Sequence, residues 1–325
     1  MAPDRPALAQ GSGGGARGDT LVSYSHRVRA ARVRALMVRA LTPNRKRALR
    51  HGLLLTGLGY GLVPAVILAL TAPEALGYDA LSYWSIDLTH LYRGTIGDAG
   101  WFPYSPALAM VASPLGVLPW PVFLGLWLAL LLATVLWLGG RRTIWLLAFP
   151  PVAVELCYGN INLLLAAALV LGFRYPAAWA FVLLSKVTPG VGLLWFVVRR
   201  EWRPLGIAVG VTLVLAAASF AAAPHLWLEW RLVLAASSAA VPDAPFNAPL
   251  LIRLPLAAAL VIWGARTDRA WTVPAAATLA MPVLWFAALS TLCAVVPLVR
   301  DGIRPPGAAP PPAAARRPVA APART

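Results

Sequence analysis

The stretch that decides the fold class is Gly52–Ala72, GLLLTGLGYGLVPAVILALTA. It carries no charge and is close to the ~20 residues a helix needs to cross the hydrocarbon core of a bilayer. Similar apolar runs recur along the chain. Of its 325 residues, 59% are hydrophobic and 12% charged, against about 25% charged in a soluble domain. This composition predicts an all-α protein, a polytopic transmembrane helical bundle of roughly nine to eleven spans.

The net charge of +16 is placed as membrane topology requires. Arginines crowd residues 27–50, then recur at Arg141-Arg142, Arg199-Arg200, Arg203, Arg266, Arg269 and from Arg300 onward. Basic residues gathered in tails and short loops are the positive-inside pattern. A basic groove interleaved with exposed aromatics is absent, so the expected partner is the lipid bilayer and not nucleic acid. Cys157 and Cys293 lie in apolar surroundings, with neither disulfide nor metal-site spacing. The expected organisation is a disordered, basic, cytoplasmic N-terminus over 1–50, a transmembrane domain over 51–300, and a disordered Pro/Ala-rich cytoplasmic tail over 301–325.

With the N-terminus inside, the first span delivers the chain to the outer face. There lies the one long polar interruption, Gly77–Pro106, GYDALSYWSIDLTHLYRGTIGDAGWFPYSP. Beyond it the apolar sequence is broken at Pro114, Pro119-Trp120-Pro121, Gly159-Asn160-Ile161-Asn162, Pro176 and Pro189, and one segment between 104 and 140 is expected to be re-entrant or interfacial. Interrupted helices at membrane depth are tolerated where they line a cavity buried in protein. His225 to Asn247 forms a second outer loop, with Trp227 and Trp230 as interfacial anchors.

Projected at helical period, residues 79–93 put Leu81, Trp84, Leu88, Leu91 and Tyr92 on one face, and Asp79, Tyr83, His90 and Arg93 on the other. An interfacial helix in the first extracytoplasmic loop, with a polar row facing a cavity, follows from that pattern; an ordinary surface helix with a solvated face would share it. Glu155 sits inside an apolar helix, and an intramembrane carboxylate is a functional candidate by default. Lys186 is equally isolated, either snorkelling or holding a lipid phosphate. The sequence has no D-x-D pair, Walker loop, H-E-x-x-H or G-x-S-x-G. What is left is a chemistry of one general base and a cation or two, with no metal and no cofactor.

These motifs resemble the GT-C superfamily of membrane glycosyltransferases, and more narrowly glycosyltransferase family 87. The resemblance rests on Asp79-Ala80-Leu81-Ser82-Tyr83-Trp84, Phe102-Pro103-Tyr104-Ser105-Pro106, Gly159-Asn160-Ile161-Asn162, Lys186-Val187-Thr188-Pro189 and Asn247 before an apolar run. The chain departs from the family's pattern at Asn160, where the family has Gln, and at Met281, where its late S-P-x-x-W motif has Ser. The resemblance implies transfer of a hexose, mannose first, from a polyprenyl-phosphate sugar donor to a lipid-linked glycan acceptor at the outer face. Asp79 is then the general base of an inverting displacement. Lys186 and Arg93 stabilise the leaving phosphate, and Tyr83, Tyr104, Asn160, Asn162, Asn247 and Trp285 line the sugar pockets, with His90 and Glu155 as further binding candidates. Arabinosyl transfer, a lipid or sugar transporter, and a non-catalytic membrane scaffold are the alternatives.

Overall fold

The computed structural model describes residues 43–95, 97–239 and 248–301. Asn247, residues 1–42 and the tail from 302 lie outside the described residues, and with them most of the expected disordered termini. No strand occurs among the described residues. The described residues divide into two units, 43–54 and those from 55 onward. Of the first, the described part is helical and mostly exposed.

Helix α1, Pro43–Thr71, starts before the expected Gly52, inside the segment expected to be disordered. Proline at the first helical position gives up an N–H that has no intrahelical partner anyway, and the Arg, Lys, Leu and Ala that follow are good helix formers. Further along α1, Gly57 and Gly61 let the backbone approach its neighbours. A Cβ at Gly61 would stand 2.7 Å from Ala153 Cβ, and one at Gly57 would collide with the Ala148 carbonyl oxygen. This is the small-residue packing by which helices associate in membranes.

The expected Pro breaks are present, and they shorten the helices. After the first loop come α2, Leu81–Trp84, and α3, Pro106–Ala112. Then follow α4, Trp120–Gly139, and α5, Thr143–Leu147. Next, α6, Pro150–Tyr158, and α7, Asn162–Gly172, are bent by 113° at their break. The chain continues through α8, Trp179–Ser185, α9, Leu194–Val198, and α10, Trp202–Ala222. The last elements are α11, Pro224–Ala239, α12, Leu250–Arg266, α13, Thr272–Leu279, and α14, Val295–Asp301.

Three of the described helices are long and apolar enough to cross a membrane, or four with the bent pair taken as one span. Together they make the chain an all-α membrane protein. The count is below the nine to eleven expected, because alternating basic loops imply a crossing for every apolar run whether or not its helix has the length. Between 104 and 140 the chain breaks into the short α3 and the long α4, and the most sharply bent pair lies at the expected break after Tyr158.

The interior holds α8, α9 and α13, with Trp179, Trp195, Phe196 and Val273 buried. Arg199 donates from Nε to Glu201 Oε1 (2.8 Å) and from Nη1 to Asp268 Oδ1 (2.8 Å). Two of the basic loops therefore share one end of the bundle.

The helix expected over 79–93 ends after one turn, at Trp84. Ser85 Oγ bonds back to the Leu81 carbonyl (2.8 Å), and Asp87 Oδ1 accepts from both N and Oγ1 of Thr89 (2.9 and 2.6 Å). Such local side-chain bonds offer the backbone an alternative to the helix. Gly94, Gly97 and Gly100 then take positive φ.

Candidate active site

The site forms where the α6–α7 break receives the first loop. Gly159 sits at the corner with φ 74°, its N–H on the Glu155 carbonyl (2.8 Å) and its own carbonyl accepting from Trp127 Nε1 (2.7 Å). The first loop docks here by backbone: Gly77 N–H bonds the Cys157 carbonyl (2.8 Å), and Asp79 N–H bonds that of Tyr158 (2.9 Å). A side chain at 159 would meet Ala80 Cβ at 2.7 Å and would strain a left-handed backbone by about 1–3 kcal/mol. Gly159→Val is therefore expected to lower the melting temperature of the detergent-solubilised protein and to abolish activity. An unchanged melting curve would show that the corner tolerates a side chain.

Asp79 is thus placed by its own main chain, and its carboxylate is oriented by Asn160. Asn160 Nδ2 donates to Asp79 Oδ2 (2.9 Å), while Asn160 Oδ1 accepts from Ile161 N (2.8 Å). The amide is held with its nitrogen toward the acid, and Asp79 Oδ1 has no hydrogen-bond partner among the described residues. Burial raises the Asp79 pKa above its ordinary value, while the Asn160 bond and the Lys186 charge pull it back.

A second polar chain runs alongside. Lys186 Nζ donates to Asn162 Oδ1 (2.7 Å), and Asn162 Nδ2 donates to Glu155 Oε2 (2.9 Å). The other carboxylate oxygen, Oε1, accepts from Leu163 N (3.1 Å). Glu155 therefore satisfies one of the orphan N–H groups in the first turn of α7, and it is fully buried.

Tyr83 and Tyr104 meet phenol to phenol (2.8 Å). Tyr83 stacks on Trp127 with centroids 5.0 Å apart, and Trp127 on Phe123 at 5.6 Å. Burial, above all, pushes both phenols up, which keeps them neutral and able to donate.

Seven residues expected from sequence thus come together: Asp79, Tyr83, Tyr104, Glu155, Asn160, Asn162 and Lys186. His90 and Arg93 do not join them. The early end of α2 takes both away to an exposed groove beside Glu229, so the single row of Asp79, Tyr83, His90 and Arg93 is not formed. Trp285 is 50% exposed, in the loop after α13.

Two residues went unnoticed in the sequence. Trp127 is one of many apolar-helix tryptophans and carries no distinguishing signal. Arg253 does carry one, as a lone cation in an apolar helix. It is buried and donates to the carbonyls of Ala248 (2.5 Å), Leu279 (2.8 Å), Met281 (2.7 Å) and Pro282 (3.1 Å). It thereby shapes the loop that carries Trp285. Among the described residues no three His, Cys, Asp or Glu gather as a metal site.

A family model described as glycosyltransferase family 87 matches residues 101–301. The loop carrying Asp79 precedes the matched range, while Asn160, Asn162 and Lys186 fall inside it. No curated protein and no solved structure matches the chain.

Proposed function

Because the chain belongs to glycosyltransferase family 87, and is accordingly a membrane glycosyltransferase, we propose that it moves mannose from a polyprenyl-phosphate donor to a lipid-linked glycan acceptor at the extracytoplasmic face. The observation that carries this reading is the Asp79 carboxylate, with one oxygen fixed by Asn160 and the other open, within electrostatic reach of Lys186.

In the proposed step an acceptor hydroxyl oxygen attacks the anomeric carbon and Asp79 Oδ1 takes its proton. The bond from that carbon to the phosphate oxygen breaks, and its electron pair leaves with the lipid phosphate. A hydroxyl is too weak an acid to ionise beforehand, so a base in hydrogen-bond reach contributes about 10²–10⁴-fold. Lys186 faces the charge that gathers on the phosphate, its ammonium held by Asn162 with Glu155 behind. A single displacement inverts the centre, giving an α product from a β-linked donor. The half-buried Trp127, backed by the buried and neutral phenols of Tyr83 and Tyr104, offers a sugar-binding wall. For orientation, the basic loops tied together by Arg199 and Asp268 support a common cytoplasmic end for those loops.

Transfer is tested by incubating membranes containing the protein with labelled polyprenyl-phosphate mannose and, in parallel, the arabinose analogue. Label is expected in extractable glycolipid from the mannose donor. Label from the arabinose donor alone would reassign the sugar, and label from neither would overturn the reading.

The pH dependence has a definite sign. Asp79 works only unprotonated, so its raised pKa puts the acid limb of the kcat/KM profile above the ordinary carboxylate range. Asn160 opposes that rise, so Asn160→Ala is expected to move the limb to still higher pH. A limb that stays in place would mean that Asp79 is not the titrating group.

A further inference from the structure

The loop after α2 and helix α11 enclose a groove of about 430 Å³ that the proposed reaction leaves unused. We propose, resting on the transferase reading above, that this groove is the subsite for a neutral sugar of the acceptor glycan, with Glu229 its specificity-determining residue.

Arg93 and His90 stand on the loop wall, and Glu229, Leu232 and Val233 on the helix wall. One guanidinium and one carboxylate face the same space. A bare phosphate would be recognised by cations without an opposing acid, and a cation by carboxylates without an opposing arginine. A sugar hydroxyl both donates and accepts, so a hydroxyl-rich neutral ligand satisfies both groups at once. Leu232 and Val233 supply apolar surface for the C–H face of a ring, in the usual mix of apolar lining and a few orienting polar groups.

The loop wall is built to hold its shape. Asp87 Oδ2 and Thr89 Oγ1 both lie on His90 Nδ1 (3.0 and 2.9 Å), which fixes the imidazole and leaves Nε2 as its remaining polar atom. Both walls are fastened to the segment next to Asp79. Tyr92 Oη donates to the Tyr104 carbonyl (2.8 Å) and Trp230 Nε1 to that of Pro103 (3.0 Å), and the Tyr104 phenol meets Tyr83. A glycan seated in the groove therefore rests on walls tied to the segment that carries Tyr104.

The test has two arms. In the kinetic arm, Glu229→Ala and Leu232→Trp are assayed for transfer with donor and acceptor concentrations varied separately. The acceptor KM is expected to rise at least about tenfold with the donor KM within about twofold, since a site built to hydrogen-bond a hydroxyl discriminates strongly when that bond is lost. No shift, or equal shifts in both KM values, would overturn the subsite. In the binding arm, saturation-transfer NMR follows methyl α-mannoside on the protein in nanodiscs, without turnover. Contact in wild type that is lost in Leu232→Trp supports the groove, and contact unchanged in the variant overturns it. A wild type that binds the glycoside yet transfers nothing would fault the transferase reading alone.

Discussion

Asp79→Asn is expected to reduce sugar transfer by about 10²–10⁴-fold while leaving the melting temperature close to that of wild type. The substitution conserves shape. The new amide oxygen can still accept from Asn160 Nδ2, which supplies the one hydrogen bond that the carboxylate receives among the described residues, and the backbone bonds from residues 77, 79 and 80 to the end of α6 do not involve the side chain. What changes is the open position, where an oxygen able to take a proton becomes an NH₂ that can only donate. The loss should fall on kcat, because the proton moves only in the transition state. Asp79→Glu is expected to recover part of the activity, since it restores a base at the cost of geometry. Transfer by Asp79→Asn within about threefold of wild type, in protein that melts normally, would remove Asp79 from the chemistry.

The parts of this site that could be read from sequence share one physical property. Charged and amide side chains are costly at membrane depth unless they satisfy one another. Glu155, Asn160, Asn162 and Lys186 stand out against apolar neighbours, and in the folded chain they bond to each other or to Asp79. The helical projection of 79–93 failed for an equally physical reason. Periodicity registers where apolar residues fall, but not that Ser85 will bond back to Leu81 or that Thr89 will be captured by Asp87, and those bonds end the helix. Arg93, expected beside the leaving phosphate, is carried off with the loop. Trp127 shows the opposite limit: its indole holds the carbonyl of Gly159, yet nothing in its sequence surroundings sets it apart from Trp120 or Trp137. Arg253 was readable by the rule that marked Lys186, and its carbonyl partners after α13 are contacts no local pattern encodes.

The strongest test of the second polar chain is a swap. Lys186 can only donate and the Glu155 carboxylate only accepts here, so Asn162 between them has a single allowed orientation, oxygen to the lysine and nitrogen to the acid. Glu155→Ala is expected to destabilise the protein by about 2–6 kcal/mol, at roughly 1–3 kcal/mol for each buried donor left unpaired, because Asn162 Nδ2 and Leu163 N both lose their acceptor beside a half-buried ammonium. Glu155→Gln is milder for the fold but damaging to function. Its oxygen can still serve Leu163 N, but its NH₂ then faces the Asn162 NH₂. If Asn162 turns over to accept that bond, it presents a donor to Lys186, whose ammonium loses its anchor. Transfer should therefore fall by more than stability does. Adding Asn162→Asp to Glu155→Gln restores the donor sequence: Lys186 and the new glutamine NH₂ each donate to one carboxylate oxygen, and Leu163 N still meets an acceptor. The double variant is expected to be more active and more stable than either single variant, with a coupling energy of about 1–3 kcal/mol. Melting temperatures and transfer rates for the four proteins measure it, and losses that simply add would show that Glu155, Asn162 and Lys186 do not act as one chain.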